Sequence, residues 1–162
     1  MKTIGIDQSF KRCAVIILDE NENVIFFETI TAGDGDVFAK ANEVAMHVCG
    51  VVSTTSDLKI IAIEGLAFGD LGNATRDLAG LQFVIITALR YRLCIPQDIV
   101  IIPPPTLKKF ATENGRADKQ MMIDALPEVI RNQFKEAGYK KTTGLSDLTD
   151  AYWLARFAQI NY

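Results

Sequence analysis

Cysteine and histidine are scarce in this chain. Its 162 residues include three cysteines and one histidine. Cys13, Cys49 and Cys94 are odd in number, widely separated and set in apolar sequence. That spacing excludes a disulfide framework and reads as reduced core thiols of a cytosolic protein. The lone His47 falls on a helical stretch and reads as structural. Long apolar runs are also missing: none reaches the roughly 18 residues of a membrane span. No basic segment followed by an apolar one opens the chain, so neither a membrane span nor a signal peptide is expected, and the expected location is cytoplasmic. An excess of positive charge is lacking as well. Seventeen Lys and Arg face twenty Asp and Glu, for a net charge of −3. Taken plainly, that argues against nucleic acid as a partner. The objection weakens if cations neutralise clustered carboxylates. No repeat, linker or low-complexity segment is evident.

What is present is an apolar content of 49% in a chain long enough for one full core, and a single domain over residues 1–162 is expected. Lys2–Ser9 reads as an apolar strand, Arg12–Leu18 as a central strand and Val24–Ile30 as a third, joined by short turns into an antiparallel meander. Asp36 and its neighbours can cap a helix over Val37–Val52, whose apolar stripe is Phe38, Ala41, Val44, Ala45, Val48 and Val52. Lys59–Glu64 is a fourth strand. Ala74–Leu93 has helical length but is apolar on nearly every side, which requires cover on two sides. Asp98–Ile102 is a fifth strand, stopped by Pro103-Pro104-Pro105. Short helices are expected over Thr106–Thr112 and Asp118–Leu126, the latter interrupted or restarted at Pro127. Lys135–Gly144 reads as a basic loop, and Ser146 as the N-cap of a last helix that buries Ala151, Leu154, Phe157 and Ala158. Trp153 on that helix reads as core or interface. The order implies an α/β domain with a mixed five-stranded sheet flanked by helices, strands one and four parallel and adjacent.

Four carboxylates stand out against this background. Asp7 ends the first strand and Glu64 the fourth, while Asp147 and Asp150 lie three apart at the start of the last helix and share one face. An aspartate at a strand end or a helix start can be a simple cap. Glu64 has no capping role, however, and Asp150 lies one turn inside its helix. Four carboxylates gathered together cannot all remain ionised without cations between them, and Mg²⁺ or Mn²⁺ suits such oxygen ligands. A metal site built from two strand ends and one helix is the expectation.

Taken together, Gly5-Ile6-Asp7, Ile63-Glu64, Asp147-Leu148-Thr149-Asp150-Ala151, Leu107-Lys108-Lys109 and Lys119 eleven residues after Lys108 resemble the RuvC-type Holliday junction resolvases of the ribonuclease H-like superfamily. The resemblance spans almost the whole chain. Bacterial members read Asp-Pro-Gly where this chain reads Asp7-Gln8-Ser9, and the loop after Glu64 carries Phe68 near the family's wedging aromatic. Both features look more like the phage-encoded branch, which would place the protein in a host cytoplasm.

The resemblance implies a ribonuclease H-like fold and hydrolysis of phosphodiesters in four-way and other branched DNA, leaving 5′-phosphate and 3′-hydroxyl ends. It implies two Mg²⁺ ions per site, with Mn²⁺ as substitute, held by Asp7, Glu64, Asp147 and Asp150, and Lys119 neutralising the scissile phosphate. Expected DNA contacts are Phe68, Arg76, Lys108, Lys109, Arg116, Lys119, Lys140 and Lys141. A homodimer through the 74–93 helix would match the two-fold substrate. Actin-like ATPases share the opening strand but need two related halves, which this chain lacks. A superfamily ribonuclease acting on structured RNA and a non-catalytic junction-binding protein are the rival readings.

Overall fold

The computed structural model describes residues 1–66, 72–92 and 98–162. Five strands form one sheet: β1 (Lys2–Asp7), β2 (Cys13–Leu18), β3 (Val24–Ile30), β4 (Leu58–Glu64) and β5 (Asp98–Ile102), in the order β3-β2-β1-β4-β5. β1, β2 and β3 are the antiparallel meander, and β4 and β5 run parallel to β1. This is the mixed five-stranded α/β sheet expected from the sequence.

Helices cover both faces, which explains why β2 reads as a continuous apolar run. Its Cys13, Val15 and Ile17 face one core, and Ala14, Ile16 and Leu18 face the other. The first core is closed by α1 (Val37–Ser53) and α2 (Asn73–Thr87), the latter continuing into a π-helical turn at Ala88–Arg92. The second is closed by α6 (Leu145–Asn161), with α3 (Pro104–Thr112), α4 (Lys119–Asp124) and α5 (Glu128–Glu136) around it.

Several local expectations are corrected. Asp36 caps α1 as expected, accepting a bond from the Ala39 N–H. Phe38 does not join the buried stripe; one residue into the helix, its side chain points outward and is 80% exposed. Pro104 and Pro105 do not precede α3 but open it, since a helix's first turn needs no N–H bonds from those positions. Ser146 is not the N-cap of α6. Gly144 is, with φ of 110°, a left-handed value that glycine adopts without a Cβ penalty. The chain restarts at Pro127 as α5, so the basic loop is shorter than Lys135–Gly144. Trp153 is partly buried and packs edge-on to Phe110 and Tyr152.

One contact fixes the position of α6. A Cβ on Gly5 would lie 2.0 Å from the Ala151 carbonyl oxygen and 2.7 Å from the Ala155 nitrogen. Only glycine in β1 lets the α6 backbone lie directly on the strand. The first two residues of the Gly-Ile-Asp signature thus have a packing reason: Gly5 seats α6, and Ile6 faces the opposite core.

Candidate active site at the strand ends

Strand parity sets which face each carboxylate occupies. Asp7 lies two residues after Gly5, hence on the α6 side. Glu64 lies two after Ala62, which packs in the α6 core. The β1–β4 register pairs Gly5 with Ala62 and Ile6 with Ile63, so Asp7 and Glu64 follow one step beyond the last paired residues. Gly5 brings Ala151 of α6 onto β1, and Asp150 and Asp147 precede Ala151 by one and four residues. All four carboxylates meet at the carboxyl end of the parallel strands, where open α/β sheets keep their ligand sites.

Their electrostatics follow from crowding in a buried place. Burial raises the Asp7 carboxyl well above the ordinary carboxylate range, and the charges of Glu64, Asp150 and Asp147 raise it further. A side-chain hydrogen bond with Glu64 also raises the Asp7 carboxyl. Burial raises Glu64, opposed by that bond and by the charges of Lys108 and Lys119. Asp150 is pushed up to about 7, mainly by burial and then by Glu64. The Asp147 oxygens are engaged by neighbouring side chains. Arg12 Nε donates to Asp147 Oδ2 at 3.0 Å, Lys119 Nζ lies 4.0 Å from Oδ1, and the Ser146 hydroxyl donates to Oδ1 at 3.2 Å.

A hard divalent cation fits the chemistry of this donor set: every ligand is an oxygen, and three of the four carboxyls carry raised affinities for protons that a cation would replace. As the side chains stand, no group of three or more His, Cys, Asp and Glu among the described residues is in position to hold a metal ion.

The expected cations are distributed unevenly. Lys108 and Lys119 lie close enough to Glu64 and Asp150 to lower both acids. Lys140 and Lys141 line a cleft of about 470 Å³ with Gln120, Arg131, Lys135 and Tyr139, beside the start of α6, and Lys141 Nζ donates to Gln120 Oε1 at 3.1 Å. Arg116 is exposed in the turn between α3 and α4. Lys109 lines a separate depression with Phe110 and Phe157. Arg76 sits on the other layer, paired with Asp77 in an apolar groove between α1 and α2. Phe68 lies outside the described residues. His47 is remote from the carboxylates, paired with Glu28 at 3.0 Å.

Arg12 was not among the expected site residues. It bridges the turn after Asp7 to the loop before α6, donating also to the Thr142 carbonyl at 2.7 Å. Its only signal in the sequence is an arginine placed against a wholly apolar strand.

No family model and no curated protein matches this chain. Solved structures do. RuvC of Thermus thermophilus superposes with a TM-score of 0.72 at 13% identity, covering 99% of this chain and 96% of that one. The yeast mitochondrial Holliday junction resolvase Ydc2 gives 0.70 at 11%, covering 97% and 77%. The fowlpox virus Holliday junction resolvase gives 0.61 at 16% over the whole of both chains. The chain has the RuvC-type resolvase fold. At these identities the likeness is one of backbone, so the reading of the carboxylate cluster rests on the side-chain geometry above.

Proposed function

We propose that this protein is a structure-selective, metal-dependent endonuclease that cuts branched DNA, four-way junctions above all. The observation that carries the reading is the gathering of Asp7, Glu64, Asp147 and Asp150 at one end of the sheet, with Lys108 and Lys119 beside them. Two relatives in fold, the Thermus thermophilus and fowlpox enzymes, have been solved in complex with Holliday junction DNA.

In this reading the four carboxylates hold Mg²⁺, or Mn²⁺ in its place, two ions to a site. When bound, such ions activate water for in-line attack and stabilise the leaving 3′ oxygen. The chain's own contribution is placement. Gly5 seats α6 so that Asp147 and Asp150 reach the strand ends. Arg12 ties Asp147 to the turn after Asp7. Lys119, exposed and 4.0 Å from Asp147, is free to meet the scissile phosphate as its charge develops. Lys140, Lys141, Arg131 and Lys135 line the adjoining cleft and would follow a DNA arm away from the cut. Arg116, Lys109 and Arg76 lie farther out and would touch outlying phosphates, with Phe68 as the junction wedge.

The second half of the proposal is a two-fold dimer through α2. Phe83 and Tyr91, eight residues apart on its outer face, are 72% and 81% exposed. The outer face therefore narrows to Phe83 and Tyr91, because Ile86 packs against the α1–α2 core.

The decisive test incubates a labelled four-way junction, a linear duplex and a structured RNA with the protein in Mg²⁺ or EDTA. Paired nicks in the junction alone, abolished by EDTA, are expected. Preferential RNA cutting would favour a ribonuclease, and binding without cutting a junction-binding protein.

A further inference from the structure

Glu64 is gripped through its backbone by two side chains with no part in the chemistry above. Gln8 Nε2 donates to the Glu64 carbonyl oxygen at 3.1 Å, and Gln82 Nε2 donates to the same oxygen at 2.9 Å. The two glutamines are only 4% and 8% exposed. A carbonyl oxygen has two lone pairs, and here each meets a side-chain amide. The recorded β1–β4 pairing ends at Ile6 and Ile63, so the two amides take over where that ladder stops.

Neither glutamine is placed where packing alone would keep it. Gln82 lies next to Leu81 and near Ile85 on α2, both fully buried in the core. An amide there is costly unless it is bonded. Gln8 Oε1 has no partner among the described residues, and among them Nε2 donates to the Glu64 carbonyl. Gln8 also follows Asp7 directly. The residue after one carboxylate therefore grips the backbone of another, and α2 grips it from a third element.

We infer that Gln8 and Gln82 are positioning residues that fix the Glu64 carboxylate against Asp7. Through Gln82, the seating of α2 becomes part of the active site. The next residue, Phe83, is on the exposed face proposed for dimerisation, so one helix turn joins the interface to Glu64. This inference rests on the nuclease reading for its purpose but on hydrogen bonds for its geometry.

The test compares Gln8→Leu, Gln82→Leu and wild type by Mn²⁺ titration calorimetry without DNA, by junction affinity in EDTA, and by cleavage rate at saturating junction. Residues that orient metal ligands are typically worth about 10- to 100-fold in metal affinity or activity. Each variant should bind Mn²⁺ at least about 10-fold more weakly and cut correspondingly slower, with unchanged junction affinity in EDTA. Excess Mn²⁺ should restore much of the rate, which a general packing defect would not allow. Should Gln82→Leu fail to fold, Gln8→Asn, which shortens the amide and leaves α2 untouched, carries the same expectation. Unchanged Mn²⁺ affinity and rate in folded variants would overturn the clamp and leave the nuclease reading standing. A wild type that binds Mn²⁺, loses that affinity in the variants, yet cuts no junction would overturn the nuclease reading and leave the clamp. A wild type that binds no Mn²⁺ overturns both.

Discussion

Gly5 shows how much one residue can carry. A methyl group there meets the α6 backbone rather than a flexible side chain, so α6 must lift off β1. Gly5→Ala should cost about 1–3 kcal/mol or more, read as a lower denaturation midpoint, and should weaken Mn²⁺ binding because Asp147 and Asp150 move with α6. A lowered midpoint with intact Mn²⁺ affinity would separate the helix's stability from its role at the site. Lys119→Ala should slow cleavage by about 10² or more, the scale on which a transition-state donor is felt; unchanged turnover with weaker binding would make Lys119 a phosphate contact only. The buried acids also set a pH dependence. Asp7, Glu64 and Asp150 bind protons more tightly folded than unfolded. Their contribution to stability is therefore complete below the ordinary carboxylate pKa of about 4 and is lost as pH rises through the folded values, about 7 for Asp150. In EDTA the melting temperature should fall across that window, and Asp150→Asn should flatten the fall. Mg²⁺ should raise the melting temperature most at the alkaline end, where the three acids would otherwise repel.

At the scale of elements, α4, α5 and the loop before α6 form a cationic cleft on a molecule whose net charge is −3. Four cations line it, Arg131, Lys135, Lys140 and Lys141, and Asp124 is the carboxylate among them, 3.8 Å from Arg131. Local charge of one sign in a concave place concentrates a polyanion even when the total charge opposes it. Lys140→Ala with Lys141→Ala should weaken junction binding and reduce its salt dependence by about two phosphate contacts. An unchanged salt slope in an electrophoretic titration would place the DNA elsewhere. The cleavage rate at saturating DNA should hold, since neither lysine reaches the carboxylates.

At the scale of the whole molecule the prediction concerns assembly. α2 covers the sheet with Leu81, Ile85 and Leu89 and turns Phe83 and Tyr91 outward. A carboxylate buried against a partner costs several kcal/mol. Phe83→Glu and Tyr91→Glu should therefore give monomers by sedimentation, with nicked junctions accumulating in place of resolved duplexes. A wild-type monomer that resolves junctions cleanly would sink the dimer. Val84→Glu should act differently, by disturbing the α1–α2 core.

Most of the fold was legible because it depends on local pattern. The apolar runs of β1, β2 and β4, the stripe of α1 and the carboxylates at strand ends are properties of short stretches, and period and parity alone place them on faces. Helix starts were less legible: Pro104 and Gly144 open helices because of backbone geometry that residue type only permits. What sequence could not decide is which distant groups share a contact. That Gly5 exists to admit Ala151, that Arg12 reaches Asp147 from 135 positions away, and that Gln82 in an apolar helix bonds the Glu64 carbonyl are results of packing. Each depends on separations across the chain, which only the closed tertiary structure sets.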